Sequence, residues 1–135
     1  HGAGRAAALA LGAAQHLDAV AAQFAPRAGK RRQPANVVVD DSGSIVDWDV
    51  GAAQIFHWSR VEAVGQDVTL LTPVRYREGH LAAFREAIGK RVVRSEPLDV
   101  MAMTREGHEI PVTVVLSEMW DENGKIRVGA NIRSR

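Results

Sequence analysis

An α+β fold, with short helices on one face of an antiparallel sheet, is what this 135-residue sequence predicts. Two short apolar runs joined by turn residues open the strand-forming part. A middle section from about Val50 to Gly89 has the texture of short helices, and the tail from Arg91 to Ile132 reads as three strands separated by two turns.

The elements follow in order. Over residues 5–25, Leu9, Ala13, His16, Leu17, Val20 and Phe24 recur at three- and four-residue spacing, which predicts an amphipathic helix stopped by Pro26 and Gly29. Its alanine-rich stripe has little surface to bury, so it needs a partner: the main core, or the same helix of a second subunit. The run "PRAGKRRQPA", residues 26–35, reads as a linker, so the chain divides into a helix and linker over 1–35 and one domain over 36–135. Val37–Val39 and Ile45–Trp48 are strand candidates, and Asp40-Asp41-Ser42-Gly43 between them has hairpin chemistry. Ser59 followed by Glu62 fits a capping box, Gly65 breaks the run that follows, and Pro73 ends the next. A longer helix spans Tyr76 to Ile88. In the tail, Arg105-Glu106-Gly107 and Asn123-Gly124 mark the turns of a meander.

Composition bounds the function. With 46% hydrophobic and 5% aromatic residues, the chain supports one domain with one modest core. Seventeen Lys and Arg against 16 Asp and Glu leave no field that would drive it onto nucleic acid or anionic lipid, and the basic run at Lys30-Arg31-Arg32 reads as solvated linker. The sequence has no cysteine, which removes disulfides, thiolate nucleophiles and cysteine-based zinc sites and fits a cytoplasmic location. The N-terminal stretch lacks a basic leader and carries Gln15, His16 and Asp18, so it reads as neither signal peptide nor membrane span.

The run "DSGSIVDWDVGAAQIFHWSRVEAVGQDVTLLTPVRYREGHLAAF", followed by "TREGHEIPVTVVLSE", resembles the PAS sensory domain over roughly residues 36–133. In that family a Gly-x-Ile-x-x-Trp-Asn hairpin leads to a Phe-Gly-Tyr/Trp-Ser-x-x-Glu-x-x-Gly run. A Pro-x-x-x-Arg-x-x-His helix and a basic-Asp-Gly-x-x-x-Pro-Val hairpin follow. Here Asp49 stands for the Asn, His57 for the Gly before the aromatic, and Ile132-Arg133-Ser134-Arg135 for the Arg-Asp-Ile/Leu-Thr run that leads into the family's output helix. The resemblance implies a PAS fold with a five-stranded antiparallel sheet and a ligand cavity between sheet and helices. It further implies a sensory role in a bacterial-type signalling protein such as a histidine kinase, a cyclic-dinucleotide enzyme or a transcription regulator.

His80 is the leading site residue. Tyr76, His80, Phe84 and Ile88 lie four apart and share one helix face, which in the family covers the cavity. In the haem-binding oxygen sensors among PAS domains, the histidine at this motif position ligates the iron, and a neutral imidazole suits that role. The resemblance places Val114 and Leu116 at aliphatic pocket positions, and Leu98 where those sensors carry an arginine that hydrogen-bonds dioxygen. Met101 and Met103 are candidate sixth ligands or gap fillers, and Trp48 is expected at the cavity rim. The plainer reading stands beside this one: many family members that bind no haem also have this histidine, packed or hydrogen-bonded in the core.

Other chemistry finds little support. His57 is expected at a surface or rim and His108 in an exposed turn, too far apart and too poor in carboxylates for zinc. No nucleophile or paired carboxylates mark an enzyme. Without cysteine, flavin or coumarate photochemistry that depends on a cysteinyl adduct or thioester is excluded; noncovalent flavin has no positive sign. The expectation is therefore a module that holds a small ligand or haem between the helix 75–88 and the inner sheet face; the alternative is a cofactor-free PAS domain whose core is filled by side chains and which serves only to dimerise. Occupancy would shift strands 92–104 and 110–120, and the helix 5–25 would pass the change to the partner of a homodimer. Direct contact with nucleic acid or membrane is not expected.

Overall fold

The structure is a computed structural model that describes residues 33–91 and 96–135. The expected helix 5–25 lies outside the described residues. Five strands form one antiparallel sheet: β1 (Ala35–Asp40), β2 (Ile45–Trp48), β3 (Leu98–Met103), β4 (Glu109–Glu122) and β5 (Lys125–Ser134), in the spatial order β2-β1-β5-β4-β3. Between β2 and β3 the chain forms α1 (Val50–Phe56), α2 (Arg60–Ala63), 3-10 turns over Val68–Leu71 and Val74–Tyr76, and the long helix α3 (Arg77–Lys90).

The turns are made by the residues that favour them. Asp40 closes the β1–β2 connection by accepting from the backbone N–H of Ser42 and of Ser44, each at 3.0 Å, while Gly43 takes φ 90°. Asn123 and Gly124 both adopt positive φ, 53° and 80°, as a two-residue turn between right-twisted strands requires. Asp49 caps α1 by accepting from Ala52 N–H at 2.9 Å. Ser59 and Glu62 form the expected capping box.

Central in the sheet, β1 and β5 pair with Ala35 opposite Ile132 and Asp40 opposite Arg127. Their inward residues Ala35, Val37, Val39, Val128 and Ile132 meet Ile45, Trp48, Ala52, Ile55 and Phe56 from β2 and α1 in one core. An irregularity between Val38 and Val39 lets Ile45 and Trp48, three residues apart, both face inward. A second lies in β4 between Leu116 and Glu118, after which Met119 packs on the core while Glu118 stays exposed. Among the described residues no helix is long and apolar enough to cross a membrane.

Candidate functional site

The core is packed unevenly. On the β1, β2 and α1 side, Ala35, Val37, Ile45, Trp48, Ala52, Ile55 and Phe56 are at most 2% exposed. On the α3 and β4 side, only Ala83 of the long helix is fully buried, and His80, Leu81, Phe84, Ala87 and Ile88 are half-buried. Facing residues Leu98, Ile110, Val114 and Leu116 are half-buried as well. Apolar side chains of both layers therefore keep part of their surface, which an apolar occupant would cover at roughly 25 cal/mol per Å².

His80 anchors this region. Its ring stacks on Phe84, with centroids 6.5 Å apart and an interplanar angle of 17°. Phe84 in turn approaches Gly43, where a Cβ would lie 3.8 Å both from the Phe84 ring and from Asp67 Oδ2. The β1–β2 turn, the Val68–Leu71 turn and α3 thus converge around the imidazole. That junction is tied by Val68 N–H to Gly43 O at 2.8 Å and by the Ser44–Asp67 bridge. Burial holds the His80 pKa below its ordinary value and so keeps the ring neutral, while the Asp67 carboxylate pulls weakly the other way. Its Nδ1 is buried and has no hydrogen-bond partner among the described residues.

The structure sorts the remaining expected residues by face. Leu98, Val100 and Ala102 on β3 pair with Val114, Val112 and Ile110 on β4; Leu98, Ile110 and Val114 pack against the core, where Val100, Ala102 and Val112 are buried. Leu116 pairs with Ala130 on that same inner side. Met101 and Met103 alternate with these residues and fall on the opposite face of the sheet, opposite Pro111 and Glu109, so they do not join His80. Trp48 is not at a rim: it is 1% exposed, tilted against Phe56 with centroids 5.7 Å apart, and its indole N–H donates to Trp58 O at 2.9 Å. Tyr76 occupies the N-cap position of α3, half-buried beneath the Arg75 guanidinium at 4.5 Å. Arg75 also grips Glu109 through two hydrogen bonds of 2.6 Å, tying the start of α3 to the start of β4.

Two features escaped the sequence reading. Trp58 packs against the core with its own indole N–H buried and without a partner among the described residues, and no spacing rule marks such an atom. Asp67 caps the Val68–Leu71 turn and, among the described residues, is the charge that acts on His80; its place opposite the β1–β2 turn emerges only in three dimensions. His57 sits in the left-handed region at φ 65°, as suits a position where the family has glycine, and its ring pairs with Glu106. Among the described residues no three His, Asp or Glu side chains could hold a metal ion together.

No family model matches the chain. Over 88 residues, 63% of the chain, it is 28% identical to the sensor protein FixL of Bradyrhizobium diazoefficiens; the match spans only 17% of that protein's length. Its fold matches the PAS domain of a protein from Colwellia psychrerythraea with a TM-score of 0.55 and 23% identity, covering 74% of this chain and 83% of that one. A PAS domain of an HTR-like protein from Haloarcula marismortui matches with a TM-score of 0.60 at 16% identity, over 89% and 90% of the two chains. The PAS domain of the RpfR quorum-sensing receptor from Cronobacter turicensis, solved in complex with C12:0, matches with a TM-score of 0.60 at 15% identity, over 79% and 98%. With this strand order, these short helices and these neighbours, the chain has the PAS fold.

Proposed function

We propose that this chain is a sensory module that holds a small, largely apolar ligand between α3 and the inner face of β3 and β4. One observation carries the reading: a tightly packed half of the core adjoins a half whose apolar side chains stay partly exposed around a neutral His80 whose Nδ1 has no partner among the described residues. His80, Phe84, Leu98, Val114 and Leu116 are the contacts, and the RpfR domain solved with C12:0 supports an organic occupant for this fold. An occupant would wedge α3 against β4, and the Arg75–Glu109 pair would carry that displacement into the sheet. In this reading residues 36–135 are the sensor, and the stretch 1–35 relays its state to a second subunit.

A second reading makes the occupant haem, favoured by the same histidine. The residues present fit: α3 offers a neutral imidazole with a ring nitrogen that has no partner among the described residues, and Leu98 and Val114 supply an apolar wall. Haem would bring a redox-active iron able to bind a gas; the chain's own part is to present the imidazole and keep water away from it.

The test is an absorption spectrum of protein purified from cells supplied with a haem precursor, beside His80→Ala, together with mass spectrometry of small molecules released on denaturation. A Soret band lost in the variant selects haem. A colourless protein that releases a stoichiometric organic molecule selects the first reading. A colourless protein that releases nothing and binds neither added hemin nor apolar probes would sink both.

A further inference from the structure

We propose that residues 5–25, which lie outside the described residues, form a helix seated along the outer side of β4 in the same chain. This is the side away from α3, and the docking stands whether or not a ligand binds.

The outer face of the sheet is divided by column. From β2 through β1 to β5 it is polar and tied by side chains: Asn36 Nδ2 donates to Asp49 Oδ2 at 2.9 Å, Asn131 Nδ2 to Asn36 Oδ1 at 3.0 Å, and Arg133 Nε to Asn131 Oδ1 at 3.5 Å. Water suits such a face. β4 differs. From Ile110 to Ser117 it carries no charge, and Pro111 and Val115 on the outside alternate with the inward-facing Ile110, Val112, Val114 and Leu116. Thr113, between those two, turns its hydroxyl aside to Asp99 at 2.8 Å. Beyond the β4 irregularity, Trp120 stands opposite Arg127 on this same outer side, its ring 3.4 Å from where a Cβ on Gly129 would lie. A strand with apolar side chains on both sides gains from cover on both. The core side chains of α1, α2 and α3 all meet the inner side.

Residues 5–25 suit the outer one. They contain ten alanines and only two charges, Arg5 and Asp18, too few for a helix solvated all round. Their stripe of Leu9, Ala13, Leu17, Val20 and Phe24 faces one way and needs cover of its own. Reach and length agree. The chain enters the sheet at Ala35 on β1, and β4 lies two strands away across β5, about 10 Å. Nine linker residues, 26–34, span up to about 30 Å. In a helix Leu9 to Phe24 rises about 22 Å, within the roughly 30 Å from Pro111 to Trp120 along β4. Tethering gives the chain's own segment a high effective concentration at this face, which a second copy's segment lacks. The relay proposed above then starts at β4.

The lack of native cysteine makes crosslinking unambiguous. In the full chain, Val115→Cys is paired with Leu17→Cys or Val20→Cys on the stripe, and with Gln15→Cys or Ala22→Cys on the opposite side of the same helix. Each pair, shown by thermal melting to be folded, is treated with a short bismaleimide, and linked peptides are identified by mass spectrometry. Positions 17 and 20 should link to 115 within one chain several-fold more than positions 15 and 22. Links formed equally from both sides, or none, would overturn the docking. Links found only between two chains would overturn the choice of occupant and give the face to a second copy. A readout free of engineered cysteines is acrylamide quenching of fluorescence: Leu17→Asp should increase quenching in the native background but not in Trp120→Phe. Unchanged quenching in the native background would overturn the proposal.

Discussion

Lowering the pH should destabilise this fold through His80, and the size of the effect can be worked out. Burial depresses the His80 pKa from its ordinary value of 6.5. The unfolded chain therefore takes up a proton near that value while the folded chain does not. Stability from this residue is fully present above 6.5 and is lost as pH falls, until the depressed folded pKa is reached. The slope over that window is at most about 1.4 kcal/mol per pH unit, so the loss at a pH one unit below the ordinary value approaches about 1.4 kcal/mol. Asp67 opposes the depression and keeps the true figure under that ceiling. The assay is urea denaturation of wild type and His80→Leu near pH 7.5 and near pH 5.5. Because His57, His108 and the carboxylates are common to both proteins, the difference between their pH responses isolates His80. Wild type should lose on the order of 1 kcal/mol more than the variant. Identical responses would show that the ring protonates freely in the folded protein, which would refute its burial and the neutral state on which the site rests.

Two further outcomes test the packing. Gly51→Ala gains up to about 1 kcal/mol of helix propensity, but its Cβ would stand 2.0 Å from Pro34 O and 2.8 Å from Pro34 C, backbone atoms that lead into β1. Overpacking should prevail by about 2 kcal/mol, read as a lower urea midpoint at an unchanged denaturant slope. On β3, Leu98→Asn should weaken binding of an apolar probe such as octanol by about tenfold or more, since it places an amide on the apolar wall, whereas Met103→Gln on the opposite face should leave it unchanged. Equal losses in the two variants would mean that the faces of β3 are not divided as the register shows.

The parts of the fold that were legible are those dictated by local chemistry. Asn123-Gly124 can take two positive φ values and Asp40 can fold its own turn, so both hairpins could be read from residue type alone. The α3 face was legible because His80, Phe84 and Ile88 repeat at the helical period. What failed was sidedness. Met101 and Met103 are pocket candidates by their chemistry, yet strict alternation with Leu98, Val100 and Ala102 puts them on the far side of the sheet. Other features were out of reach in principle. Counting by twos from Val112 would bury Glu118; the β4 irregularity instead brings in Met119. The depth of Trp48 depends on the irregularity between Val38 and Val39, and the influence of Asp67 on His80 depends on how three segments meet.

The pairing of β1 with β5 carries a consequence for how such a unit sits in a longer polypeptide. Ala35, where the first strand begins, lies directly across from Ile132, close to where the last one finishes, about 5 Å away in adjacent strands. The sheet therefore begins and ends at one place, with α3 and the β3–β4 hairpin remote from it along the chain. Inserted between two rods, a unit of this kind would add bulk at their side but almost no length to their common axis. A change inside it would then reach both rods at a single joint, as a relative slide or twist of two neighbouring strands rather than as a change in the distance between them.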